Sequence, residues 1–167
     1  KNNPDISYTP YLFANGIIDI AADIITINDW RLRLTAMTQL LKNKQLVYTI
    51  KDKPVKSAAE LAGVKFIVMK NSTYEDTLKN RILPVAKKMD IGYTLATDKE
   101  SIEAILKGDY QYGIIDSISF FILKKELPDL KLCFSASPVE ELGWAFAKTD
   151  TDLSGAFDKF IKAFRSS

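Results

Sequence analysis

Asn15-Gly-Ile-Ile-Asp-Ile-Ala-Ala-Asp-Ile-Ile-Thr-Ile-Asn-Asp-Trp-Arg31 is the stretch on which the reading of this chain turns. After a turn at Asn15-Gly16, the β-branched runs Ile17–Ala22 and Ile24–Ile27 read as one buried strand and its exit. Asn28 and Asp29 then supply helix-initiating caps before Trp30-Arg31-Leu32-Arg33. This hand-over places Thr26 and Arg31 at the C-terminal end of a strand, where open α/β sheets hold their ligands.

Strand and helix patterns go on alternating. Strands are predicted at Lys44–Ile50, Val64–Met69, Tyr93–Leu95, Tyr112–Ile115, Leu130–Phe134 and Gly143–Ala147. Helical stretches follow at Ser57–Ala62 (a capping-box form, Ser57 with Glu60, stopped by Gly63), after Asn71-Ser72-Thr73, at 100–107 capped by Asp98, and at Ile118–Leu127 capped by Asp116-Ser117. A last amphipathic helix is expected from about Thr151 to Phe164, with Leu153, Phe157, Phe160, Ile161 and Phe164 at helical spacing. The order predicts a mostly parallel α/β system. Thr49–Pro54 and Ser135–Pro138 read as linkers, which would put residues 51–134 in one lobe and the flanks, 1–50 and 135–167, in another.

Composition narrows the function classes. The 167 residues are 47% hydrophobic and 26% charged, an ordinary globular balance, and a net charge of +2 suggests no nucleic-acid surface. The absence of histidine excludes Ser-His-Asp and Cys-His catalysis and an HExxH zinc site. Cys133 alone forms neither an intrachain disulfide nor a CxxC pair, and its place in Leu130–Phe134 makes it a small buried hydrophobe. Carboxylate chemistry is left with Glu140-Glu141, a pair that reads as a solvated turn. No run of 18 apolar residues appears, and Lys1–Asp5 does not lead into a signal-like apolar region. A start at Lys1, without methionine, suits a mature or trimmed form.

Four hand-overs from strand to helix carry polar groups: Thr26 with Arg31, Asn71-Ser72-Thr73, Asp98, and Asp116-Ser117. Ser72 and Thr73 offer hydroxyl and N–H donors suited to an anion, and Arg31 a guanidinium fork for a carboxylate. Asp116 offers the opposite, an anion for an ammonium. Each also has the plainer reading of an N-cap or a solvated charge. Together they point to a small polar, zwitterionic ligand.

At these residues the chain resembles type II periplasmic solute-binding proteins of the amino-acid-binding group. Asp19 to Arg31 matches the spacing of that family's G-x-x-D…T-x-x-R segment. Lys56–Thr73 resembles its D-L-x-G…G-S-T stretch, and Ile105–Asp116 its L-x-x-G-x-x-D-a-x-v-x-D stretch. Asn15–Arg31, Lys44–Tyr48 and Asp116–Ser119 are also similar to the binding-like N-terminal domain of the membrane-bound lytic murein transglycosylase F family. The resemblance implies an α/β, two-lobe Venus-flytrap fold, hinged near 49–54 and 135–138, that binds without catalysis. It implies that Arg31 and Thr26 hold a ligand carboxylate, that Ser72 and Thr73 add to that site, that Asp116 receives an ammonium, and that Met69 and Tyr74 line the pocket. No cofactor, metal or nucleic acid is implied. The expected partners are an amino acid, short peptide or muropeptide, with ABC-transporter membrane subunits or an attached transglycosylase or sensor domain. The expected location is the periplasm, free or as a membrane-anchored lipoprotein.

The chain also departs from the pattern. Asn28 stands for Thr, Asn71 for Gly and Gln111 for Asp, while Asp23 lies close to the expected carboxylate site. The family's first strand-helix-strand has almost no counterpart before Phe13, and its closing helix none after Ser167. A lobe lacking its first strand is expected to expose a sheet edge.

Overall fold

The computed structural model describes residues 9–94 and 97–166, which form two compact units. The first comprises Lys1–Lys42 and Glu140–Ser167, the second Asn43–Val139.

The second unit is a five-stranded mixed sheet in the order β5-β4-β6-β3-β7. Its strands are β3 (Gln45–Thr49), β4 (Lys65–Met69), β5 (Asp90–Thr94), β6 (Tyr112–Asp116) and β7 (Lys131–Ser135). Alternation along the strands sends side chains to two cores. Val47, Phe66, Val68 and Ile114 face one, with Tyr74, Leu78 and Ile82. Leu46, Tyr48, Ile67 and Ile115 face the other, with Ile102, Ile105 and Phe120. β3 is buried along its whole length, its apolar centre Leu46-Val47-Tyr48 flanked by the buried polar Gln45 and Thr49. The helices are α3 (Thr73–Thr77), α4 (Asp98–Lys107) and α5 (Ser117–Glu126). Gly108, at φ 88°, closes α4 in the left-handed conformation that glycine adopts without strain.

The sheet is less parallel than the alternation suggests. β4 runs parallel to β5 and to β6, but β3 lies antiparallel between β6 and β7. Residues 44–50 therefore belong to the second unit, because Gln45–Thr49 pairs with strands on both sides there. The chain crosses between units at Lys42/Asn43 and Val139/Glu140, outside the stretches marked by composition. The predicted strand at Tyr93–Leu95 is the end of β5, and Leu95 lies outside the described residues.

The first unit holds a three-stranded sheet in the order β1-β8-β2, from β1 (Ile20–Thr26), β2 (Thr35–Asn43) and β8 (Glu140–Ala147). α1 (Thr9–Ala14), α2 (Asp29–Leu34) and α6 (Thr151–Ser166) complete it. β1 is not the buried strand its β-branched run suggests. Among the described residues it is an edge strand with only Ile25 buried, and a register irregularity falls between Ala21 and Ile25. β2 was not predicted, since Thr35–Asn43 mixes polar and apolar residues without clean alternation. α6 docks by stacking Phe157 on Trp144 at 4.7 Å, by the Thr38 hydroxyl donating to Asp158 (2.6 Å), and by Arg165 donating to the Gln39 and Leu40 carbonyls.

Gly143 on β8 is fixed by close approach: a Cβ there would lie 2.0 Å from the Thr38 carbonyl oxygen of β2. Backbone cannot rotate away as a side chain can. Gly143→Ala is expected to lower stability by about 2 kcal/mol or more in urea unfolding, whereas Gly155→Ala, in open space on α6, is expected to raise it by about 0.5–1 kcal/mol.

Candidate functional site

The centre of the second unit's polar cluster is Asp116, the last residue of β6 and the residue preceding α5. An N-cap aspartate ordinarily turns its carboxylate back onto its own helix, but here no such bond forms. The Asn43 amide donates to the Asp116 carboxylate at 2.6 Å, while its amide oxygen accepts from the Ser117 N–H (3.0 Å) and hydroxyl (2.8 Å). The Tyr74 hydroxyl accepts from the Asp116 N–H at 3.2 Å and bonds its carboxylate. Burial pushes the Asp116 carboxyl above its ordinary range, and the Asn43 and Tyr74 bonds partly oppose the shift.

Asp98 is the second acid. It is the first residue of α4, and Thr97 rather than Asp98 caps that helix, accepting from the Glu100 N–H at 3.3 Å. Burial, followed by the charge of Asp116, pushes Asp98 up to about 6, with a Ser119 hydrogen bond pulling the other way. Burial and the Asp98 charge also raise the Tyr74 and Tyr48 phenols, and the buried Tyr48 hydroxyl has no hydrogen-bond partner. Among the described residues Glu75–Lys79 and Lys99–Glu103 form ion pairs, while neither Asp98 nor Asp116 is paired with a cation. A cavity of about 740 Å³ lies between α4 and α5, with Asp98 and Ser119 among Ile102, Ile122, Leu123 and Leu127.

The remaining predicted residues of this unit are committed to local structure. The Ser72 hydroxyl donates to the Met69 carbonyl (2.6 Å) and accepts from the Glu75 N–H (3.3 Å), the bonding of an N-cap. Asn71, at φ 57°, occupies the left-handed region open to the glycine the motif carries there. Its N–H bonds Glu75, whose carboxyl the Lys79 ammonium at 2.6 Å holds below its usual range. Thr73 opens α3, and Met69 is partly buried against the core. Tyr74 is buried and serves Asp116 rather than an open pocket wall.

In the first unit, Asn28 caps α2 by accepting from the Arg31 N–H at 3.1 Å. Arg31 is only 6% exposed, and its guanidinium donates to the Thr26 carbonyl and lies 5.4 Å from the Trp30 ring centre. Thr26 and Arg31 are thus brought together, in contact through backbone rather than through the Thr26 hydroxyl. The cavity beside Arg31, lined also by Trp30, Thr35 and Met37, measures about 10 Å³.

Sequence reasoning missed Asn43 as a site residue. Its partners lie 73 and 74 residues away, and no local pattern marks such a contact. Among the described residues no group of three or more His, Cys, Asp or Glu is placed to hold a metal, and no helix is long and apolar enough to cross a membrane. Cys133 is half-buried, with its thiol pushed up by burial.

No family model matches the chain. It is 26% identical over 151 residues to membrane-bound lytic murein transglycosylase F of Saccharophagus degradans, covering 86% of this chain and 29% of that protein. It is 28% identical over 113 residues to the protein of that name from Yersinia pestis, covering 66% and 23%. The chain therefore spans less than a third of these curated relatives. Among solved structures it is similar to Tv2483 bound to L-arginine (TM-score 0.79, 21% identity, 96% of this chain and 65% of that one). It is also similar to holo ArgBP from T. maritima (0.80, 17%, 95% and 69%). A third match is the solute receptor for L-cysteine of Neisseria gonorrhoeae (0.81, 19%, 96% and 64%). The fold is that of type II periplasmic solute-binding proteins.

Two outcomes follow from the acid cluster. Asn43→Ala is expected to raise the Asp116 pKa, read by carboxyl NMR titration, because the lost amide bond favours the charged form. The folded Asp98 pKa lies above its ordinary 3.8, so the native state keeps a proton that the unfolded chain releases. Stability is therefore expected to fall as pH rises from 3.8 to about 6, and Asp98→Asn to flatten that slope in urea unfolding at stepped pH.

Proposed function

We propose that this chain is a binding domain, not a catalyst, for a small zwitterionic solute: an amino acid, a short peptide or a muropeptide stem. The observation that carries the reading is the Asp116 cluster, a part-buried carboxylate that accepts from the Asn43 amide while the Tyr74 hydroxyl accepts from the Asp116 N–H, with no cation paired to the carboxylate among the described residues. Such a carboxylate is an incomplete ion pair, and a ligand ammonium completes it. Arg31 and Thr26 are the candidate carboxylate holders, with Ser72 and Thr73 adding donors and Met69 and Tyr74 beside them. The fold supports the reading, since the solved structures it matches include proteins named for arginine and cysteine.

A second reading is favoured by the curated relatives: the chain is the regulatory binding-like domain of a lytic murein transglycosylase, whose cell-wall chemistry resides elsewhere in the protein. The local commitments of Ser72 and Arg31 suit a site modified from its original use. The partner is then an attached transglycosylase domain rather than transporter subunits. Both readings place the chain in the periplasm.

A thermal-shift screen of amino acids, peptides and muropeptides tests this. A zwitterion that raises Tm is expected to lose its effect with Asp116→Asn, and to weaken by about 10- to 100-fold in Kd with Arg31→Ala, the scale of a lost charge-assisted bond. A panel that leaves Tm unchanged points to the second reading, with a vestigial site.

A further inference from the structure

α4 packs on β4 and β6, and α5 on β6 and β3, so the two helices straddle β6 on one face of the second unit's sheet. The cavity of about 740 Å³ between them lies wholly within that unit. Its volume falls in the range of small-molecule sites, about 300–1,000 Å³. Its walls are aliphatic, Ile102 from α4 and Ile122 and Leu123 from α5, with Leu127 at the far end. α5 carries more apolar surface than its contact with the sheet uses: Phe120 is 3% exposed, whereas Ile122 on the cavity wall is 57% exposed.

The near end of the cavity is polar and acidic. Asp98, the first residue of α4, shares a hydrogen bond with Ser119 of α5 and has no cation paired to it among the described residues. Glu126 adds a second acid to the lining. The one lysine of the lining, Lys99, has its ammonium 3.9 Å from Glu103, a residue outside the lining. The Tyr48 ring lies over Gly113 of β6, the strand both helices straddle, and its hydroxyl is buried without a hydrogen-bond partner. The Asp98 charge acts on that hydroxyl, so an uncompensated carboxylate and an unused polar group stand near one another on this face of the sheet.

We propose that this cavity is a second ligand site, separate from the Asp116 cluster, for a small amphiphilic ammonium whose charged head meets Asp98 and Ser119 and whose apolar stem runs along Ile102, Ile122 and Leu123 toward Leu127. From Ser119 to Leu127 the rise along the helix is about 12 Å, the reach of a medium-length alkylamine. A neutral apolar ligand would leave the Asp98 carboxylate desolvated and unpaired, and an anion would be repelled by it. A peptide is the poorer occupant, because the aliphatic walls would leave its backbone N–H and C=O groups unbonded. The site asks for no ligand carboxylate, so it does not depend on Arg31 or on the zwitterion reading.

A methyl NMR titration of the 167-residue chain with n-heptylamine tests this, at about pH 7.5, above the value of about 6 to which Asp98 is pushed. The Ile102, Ile122 and Leu123 methyls are expected to shift, and n-heptanol and heptanoate to bind at least about tenfold more weakly. Asp98→Asn is expected to weaken heptylamine by about 10- to 100-fold, the scale of a lost charge-assisted bond. Ile122→Ser, at an exposed position that leaves Tm unchanged, is expected to weaken it by about 3- to 10-fold through lost apolar contact. No methyl shift at millimolar heptylamine, equal affinity for heptanol, or full affinity in both variants would overturn the proposal. So would shifts gathered at Asn43 and Tyr74, which would place the amine in the Asp116 cluster.

Discussion

A carboxylate withdrawn from water needs either a cation or well-placed neutral donors, and at Asp116 the protein supplies donors. The Asn43 amide bridges the Asp116 carboxylate to the start of α5 through Ser117, and Tyr74 holds the same residue from α3. Asn43 closes β2 at the point where the chain enters the second unit, so one side chain ties the crossing, the end of β6 and the start of α5 together. β3, buried along its length, lies between β6 and β7 just after that entry point. Gln45 pairs with Asp116 in that ladder, which places the polar cluster at the sheet's end.

That arrangement keeps charge unsatisfied at a chosen place. Burial raises the cost of ionising both Asp98 and Asp116, the Asp116 charge adds to it at Asp98, and both belong to the starts of helices, where the backbone dipole favours an anion. The cluster is therefore tolerable without a cation and improves with one. On the proposed reading this balance serves reversible capture of a small ammonium, since a resident lysine or arginine would have cancelled it.

The two units also differ in how far they can stand alone. The second has apolar layers on both faces of its sheet, whereas among the described residues the first buries Phe13, Ile25, Leu142, Ala145 and Phe146 and holds α6 by the contacts of Phe157 with Trp144 and Phe146 and by a few polar bonds.

Helix and strand identities were legible where periodicity was clean. β4, β6, β8 and α6 lie close to their predicted positions, because alternation and 3.6-residue spacing are local properties. Asp116 was legible as a polar residue at a hand-over from strand to helix, which is where it lies. Three features were not: the strand Thr35–Asn43, the antiparallel insertion of β3, and the edge position of β1, each of which depends on which strands meet. The same holds for chemistry. The sequence by itself determined the residue types available, an arginine, hydroxyls and aspartates with no histidine, and so the kind of ligand they suit. Only the tertiary structure decided that Asn43, 73 residues away, holds Asp116, that Ser72 spends its hydroxyl on its own turn, and that Arg31 lies against Thr26. Hydrogen bonds over such separations are set by the packing of sheets, which no local pattern encodes.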